Sequence, residues 1–173
     1  MKNSRMLVFI GLFISLDVIL TRYLAFQTPI IRISFGFLPI ALSGIMFGPV
    51  IGGVTGMVAD IIGMIIFPRG PYFPGFTISA FLTGAIYGLF LHKKERSIIR
   101  IIITVLVITV FVDSFLNTIW LIIMGFGNAG IILPRILKNL IMVPVQIVTI
   151  SLGWRYLGSF IEKEKFKRAD IKD

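Results

Sequence analysis

Phe47-Gly48-Pro49-Val50-Ile51-Gly52-Gly53 lies in the middle of an apolar run that extends from Phe35 to Phe67. Taken as uninterrupted, the run is one long helix; broken at this point, it is two short ones. Proline lacks a backbone N–H and fixes φ, and the three glycines beside it favour a turn, so the run divides. The number of membrane crossings the chain makes depends on that division.

Crossings are expected from composition. Of 173 residues, 57% are hydrophobic, and the mean hydropathy is +0.98, far above that of an ordinary soluble domain. The apolar runs are long and lack the roughly ten-residue alternating segments of a barrel, so the backbone must satisfy its hydrogen bonds within helices. The sequence predicts an all-α integral membrane protein: one domain over residues 1–173, with six transmembrane helices near 6–27, 35–49, 52–67, 76–92, 98–126 and 132–160. The first is read as a retained helix and not a cleaved signal, because it carries Asp17 and Arg22 and no small-residue cleavage motif. Helices 2 and 3, at about 15 residues each, would be about 23 Å long against a hydrocarbon core of about 30 Å.

The charges check this count. The chain carries 17 Lys and Arg against 8 Asp and Glu, a net charge of +9. The cations lie between and after the apolar runs, where they set orientation and meet anionic lipid, and they do not form a nucleic-acid patch. Lys2 and Arg5, the cluster Lys93, Lys94, Arg96 and Arg100, and the tail from Arg155 should share the cytoplasmic side, which requires an even number of spans before residue 92. Dividing the run at Gly48-Pro49 supplies that parity and predicts an N-in, C-in bundle. Only Arg22, Arg32, Arg69, Arg135 and Lys138 then fall elsewhere.

Parity also places the loop Phe67-Pro-Arg-Gly-Pro-Tyr-Phe-Pro-Gly-Phe-Thr-Ile-Ser79 on the outer face. There Arg32, Arg69, Arg135 and Lys138 gather with Tyr72 and Phe73. Guanidinium groups pair bidentately with carboxylates, and aromatic rings offer faces for stacking, so this set suits an anionic solute that contains rings. The competing reading is that these cations reach external headgroups and the rings form an interfacial belt. Asp113 and Asn117 stand at i and i+4 on one helix face and would present an acceptor and an amide to a ligand. Asp17 and Asp60, costly in lipid, are read first as structural, in an interhelical pair or bonded to backbone. Small residues at Gly11 and Ser15, and at Gly52, Gly56, Ala59 and Gly63, allow close helix approach.

Catalytic readings find little support. No phosphate-binding glycine loop ends in Lys-Ser or Lys-Thr, cysteine is absent, and the single histidine, His92, is expected at a solvated helix end without a metal or nucleophile partner. No catalytic residue, metal or cofactor is expected.

The segments Arg32-Ile-Ser-Phe-Gly-Phe-Leu-Pro-Ile-Ala41, Gly48-Pro49, Gly52-Gly53, Gly56, Asp60, Pro68-Arg-Gly-Pro-Tyr-Phe-Pro-Gly-Phe-Thr77 and Leu133-Pro-Arg135 together resemble the substrate-binding S components of energy-coupling factor (ECF) vitamin transporters, and among these the folate-specific FolT family. The likeness runs over nearly the whole chain. It implies a non-catalytic, multi-pass binder in a bacterial cell membrane, whose ligand is folate or a reduced folate. Its partners would be a transmembrane coupling subunit (EcfT) and two cytoplasmic ATPases (EcfA and EcfA′). The ligand would enter from outside, between loops 1 and 3 and the outer ends of helices 4–6, and helices 1–3 would face the coupling subunit. The Ala-x-x-x-Ala spacing of helix 1 in that family is occupied here by Gly11 and Ser15. Under this resemblance Arg32, Arg69, Tyr72, Phe73, Asp113, Asn117, Arg135 and Lys138 are the expected ligand contacts. Another anionic vitamin such as pantothenate, biotin or lipoate, and more distantly a small integral-membrane enzyme, remain alternatives.

Overall fold

The computed structural model describes residues 2–27, 32–68, 70–95, 97–126, 130 and 132–169. Six helices follow one another: α1 (Lys2–Arg22), α2 (Phe37–Phe47), α3 (Pro49–Ile66), α4 (Pro74–Leu91), α5 (Ile98–Phe126) and α6 (Ile132–Ala169). Five contain apolar stretches long enough to cross a bilayer, and α2, with 11 residues, is a shorter apolar helix. Two dipeptides, β1 (Phe26–Gln27) and β2 (Arg32–Ile33), pair antiparallel between α1 and α2. Apart from that small ladder, the described chain is helical and turn.

The break in the Phe35–Phe67 run falls at one residue. Gly48 has φ 94° and ψ 179°, a conformation that side chains with a Cβ rarely adopt, and Pro49 follows at the first position of α3, where a missing N–H costs nothing. Gly48 N–H still bonds to Gly44 O at 2.9 Å, and Gly52 N–H to Gly48 O at 2.9 Å, so Gly48 closes the last turn of α2 and opens the first of α3 at a sharp corner. The two helices are unequal where the sequence predicts equal ones. α3 has 18 residues, about 27 Å, because Pro49 begins the helix directly, whereas α2 starts late, after Gly36. The expected first helix, 6–27, also differs from the structure: α1 ends at Arg22, and the apolar stretch beyond it leaves the helix to form β1.

Packing of α2, α3 and α4 is set by glycine. A Cβ on Gly84 would lie 2.1 Å from Gly52 O, one on Gly52 2.6 Å from Gly84 O, and one on Gly88 2.4 Å from Pro49 Cα. The backbones are therefore in direct contact, and the small-residue face of α3 is used within the protein. Beside this contact lies an apolar cluster that includes Phe13, Ile45, Leu91, Val105 and Trp154. His92, expected to be solvated, instead directs Nδ1 at Ile45 O at 2.9 Å and so satisfies a carbonyl at the end of α2. Large apolar side chains such as Val50, Ile65 and Leu140 are exposed around the bundle, as lipid-facing positions would be.

α5 and α6 are less regular. α5 has wide π turns at Ile108–Leu116 and Ile122–Phe126, separated by an α segment, Asn117–Leu121, and Gly125 reverses the backbone at φ 85°. α6 contains Pro144, which removes one backbone donor from the helix interior.

Candidate ligand site

The helices do not fill the bundle at the end marked by the α3–α4 loop. A cavity of about 740 Å³ opens there, reaching all six helices. The antiparallel order of the helices gives its direction. Gly70, Tyr72 and Phe73 bound the loop end; Ile40, Gly56, Tyr87, Ile108 and Gln146 bound the far end. Along α4 the lining runs from Phe73 to Tyr87, about 21 Å of helix axis at 1.5 Å per residue.

One wall comes from α1, α3 and α4. Arg22, buried at the end of α1, sits 3.7 Å from Asp60 of α3 and also directs Nη1 at Phe67 O and at Met64 Sδ, each at 3.4 Å. Thr77 donates to Asp60 Oδ2 at 2.9 Å, and its oxygen lies 3.0 Å from the Tyr72 hydroxyl. A carboxylate and a guanidinium that would each be costly in lipid thus neutralise one another, and the hydroxyls carry the polar chain to the loop. Room for the guanidinium comes from Gly63, whose absent Cβ would lie 2.6 Å from Arg22 Nε.

The facing wall comes from α5 and α6. Asp113 lies within the first π segment, and Asn117 ends it with its N–H bonded to Val112 O, a five-residue step. Asn117 Nδ2 donates to Asp113 Oδ1 at 3.3 Å, Lys138 Nζ stands 3.9 Å from Asp113 Oδ2, and Arg135 Nη2 donates to Asp113 O at 2.5 Å. Asn139 donates to Ser114 Oγ at 2.9 Å just beside them. Aromatic rings join the walls at the loop end: Phe73 and Trp120 have centroids 5.7 Å apart, Phe73 meets Phe76 edge-on at 6.2 Å, and Trp120 Nε1 donates to Ser79 Oγ at 3.1 Å.

Of the residues expected from the sequence, Tyr72, Phe73, Asp113, Asn117, Arg135 and Lys138 line this one cavity. Arg69 lies outside the described residues, as does the side chain of Arg32, whose backbone forms β2. Gly11 and Ser15 are exposed on α1, away from the cavity; nothing lies within 4 Å of a Cβ built on Gly11. The sequence reading gathers cations, but the described lining holds Asp17, Asp60 and Asp113 beside Arg22, Arg135 and Lys138, so acids and bases are equal in number. Reading the sequence expected Asp60 in an interhelical pair without naming Arg22 as the partner, and it missed Trp120, Tyr87 and Gln146. The pair had a signal in two opposite charges inside separate spans, and Trp120 stands three residues from Asn117 on one helical face. Tyr87 and Gln146 carry no such mark.

The cavity, within the roughly 300–1,000 Å³ of small-molecule sites, combines apolar and aromatic sides with convergent polar and charged groups, which suits a small organic solute that carries both rings and charge. Comparisons with known proteins agree with a binding subunit. The family described as "ECF transporter, substrate-specific component" matches residues 5–161. A folate transporter FolT from Clostridium novyi (strain NT) is 44% identical over 156 residues, covering 90% of this chain and 91% of that protein. A second folate transporter FolT, from Leuconostoc mesenteroides subsp. mesenteroides, is 31% identical over 152 residues, 84% and 82% of the two chains. Among solved structures, a FolT bound with folic acid matches with a TM-score of 0.81 at 40% identity, covering 88% of this chain and 92% of that one. The S component of a bacterial ECF transporter matches with a TM-score of 0.70 at 25% identity, covering 92% and 98%. With a cavity open to one end of a six-helix membrane bundle and this likeness over nearly its full length, the chain belongs to the family of ECF transporter substrate-specific components.

Proposed function

We propose that this chain is the folate-binding component of an ECF transporter in a bacterial cell membrane. It takes folate or a reduced folate from the outer face, with both termini inside, and delivers it by reorienting in the bilayer together with a coupling subunit (EcfT) and two ATPases (EcfA and EcfA′). The observation that carries the choice of ligand is the two-walled cavity, found in a chain whose relatives are folate transporters. Folate combines a flat pterin, an aminobenzoyl ring and a glutamate with two carboxylates. It needs ring faces, hydrogen-bonding groups and cations together, and the cavity lining offers Phe73 and Phe76, Asn117 and Asp113, and Arg135 and Lys138.

In this reading Arg135 or Lys138 meets a carboxylate, Asn117 or Asp113 meets donors and acceptors of the ligand, and Tyr72 and Phe73 close the loop end. Arg69 and Arg32, expected from the sequence as ligand contacts, would complete the anion-binding set. Gly11 and Ser15 belong to the face of α1 that meets the coupling subunit. Equilibrium titration of the purified chain with folic acid, biotin, pantothenate and lipoate tests the reading. Saturable binding of folic acid in preference to the others is the expected result; preference for another vitamin reassigns the ligand.

A further inference from the structure

Trp120 of α5 stands beside the cavity without lining it, packed on Phe73, which does line it. Three contacts fix the indole. Its ring centroid is 5.7 Å from that of Phe73, and Nε1 donates to Oγ of the buried Ser79 at 3.1 Å. The third contact is with backbone: a Cβ on Gly75 would lie 2.5 Å from Trp120 Cδ2, 2.8 Å from Trp120 Cε2 and 2.5 Å from Phe73 Cε1. Both rings therefore close over a position that admits only glycine without a shift. Gly75, like Trp120, is not part of the cavity lining.

These contacts fall where the α3–α4 loop becomes helix. Phe73 is extended there, at φ −131° and ψ 121°, and no side chain caps the first turn of α4, so the rings of Trp120 and Phe76 are what Phe73 packs on. On the α5 side, Trp120 belongs to the short α segment Asn117–Leu121 between the two π segments, and it follows Asn117 by three residues on the same face. Asn117 lines the cavity and is bonded to Asp113. One side chain thus ties the aromatic end of the loop to the polar wall across from it. We infer that Trp120 is a positioning residue: seated on Gly75 and bonded to Ser79, it holds Phe73 across the loop end at a fixed distance from Asn117. It sets how long a bound ligand is retained without touching that ligand. The inference rests on the folate reading, in which folate enters and leaves past Phe73.

The test separates the rates of binding and release. Tritiated folic acid is bound to the full-length protein in lipid nanodiscs and chased with unlabelled folic acid, for the wild type and for Trp120→Leu, Trp120→Phe, Gly75→Ala and the double variant Trp120→Leu/Gly75→Ala. Trp120→Leu removes both the ring contact and the hydrogen bond and is expected to release folic acid about tenfold faster or more, with association within about twofold of wild type. Trp120→Phe keeps a ring and loses only the hydrogen bond, for about a threefold effect. Gly75→Ala displaces the indole and should speed release about tenfold, whereas in the double variant the added methyl no longer meets an indole and release is no faster than in Trp120→Leu alone. Wild-type release from Trp120→Leu and Gly75→Ala would overturn the inference, as would a loss confined to association or effects that simply multiply in the double variant. Should Trp120→Leu not fold, Gly75→Ala and Trp120→Phe decide on the same rates: faster release supports the assignment and wild-type release overturns it. If the wild-type chain holds no folic acid, the folate reading fails and this inference with it; wild-type binding with unaltered variants removes only the role given to Trp120.

Discussion

The α2–α4 side of the molecule and the α5–α6 side are both helical and apolar, yet they are built on opposite rules. In the first, Gly44, Gly52, Gly84 and Gly88 bring backbones into contact and leave no space to vary. In the second, π turns, Gly125 and Pro144 distort the helices, and Asp113, Asn117, Arg135 and Lys138 project toward a cavity. Close backbone packing admits no side chain at the contact and suits a scaffold. Irregular helices separate side chains from the regular 3.6-residue rhythm and can aim several at one ligand. The division shows how one chain can hold a fixed bundle and a specific site together, and it can be broken at defined positions.

The largest effect is expected at the glycine contact. Gly84→Val places a branched side chain against the Gly52 carbonyl and should cost about 3 kcal/mol or more, seen as loss of the monodisperse peak in detergent size-exclusion chromatography. A normal peak and unchanged melting temperature would show that the helices can separate after all. Next comes the pair that ties α1 to α3. Arg22→Ala leaves Asp60 partly buried with its Thr77 hydrogen bond but without its cation, and about 3 kcal/mol of stability should be lost in thermal unfolding. An unchanged melting curve would mean that solvent already reaches Asp60.

On the other side, substitutions should alter binding more than folding. Lys138→Ala is expected to weaken folic acid by about 1–3 kcal/mol in calorimetry while shifting stability little, because Lys138 is partly exposed. A large drop in stability with intact affinity would move Lys138 from the site to the scaffold. The smallest effect is expected at Gly11, where a methyl group meets nothing. Gly11→Ala should be neutral or stabilising by up to about 1 kcal/mol, and a marked destabilisation would contradict the open face of α1.

The two sides also differ in how far the sequence foretells them. The Gly48-Pro49 corner was legible because glycine and proline act on the local backbone, and the apolar runs mark the helices because lipid demands long uninterrupted burial. Asp113 with Asn117 was legible as a pair on one helix face, and Arg135 and Lys138 as cations apart from the basic clusters expected on the cytoplasmic side. The π turns of α5 were not, since a five-residue step depends on what the helix packs against and leaves no local signature. The Arg22–Asp60 pair joins residues 38 positions apart, and Tyr87 and Gln146 are distinguished only by lacking partners, a property of the folded structure. The early end of α1 was hidden for a similar reason: Tyr23-Leu24-Ala25-Phe26 is apolar enough to continue a helix, but β1 pairs with β2 instead.

The most direct test is a structure of the chain with folic acid bound, at a resolution that places the rings. It should show the ligand between the two walls, with its aromatic parts against Phe73 and Phe76 and at least one carboxylate within hydrogen-bonding distance of Lys138 or Arg135. Folic acid found outside this cavity, or in it with both carboxylates facing the Tyr87 and Gln146 end, would contradict the two-walled site.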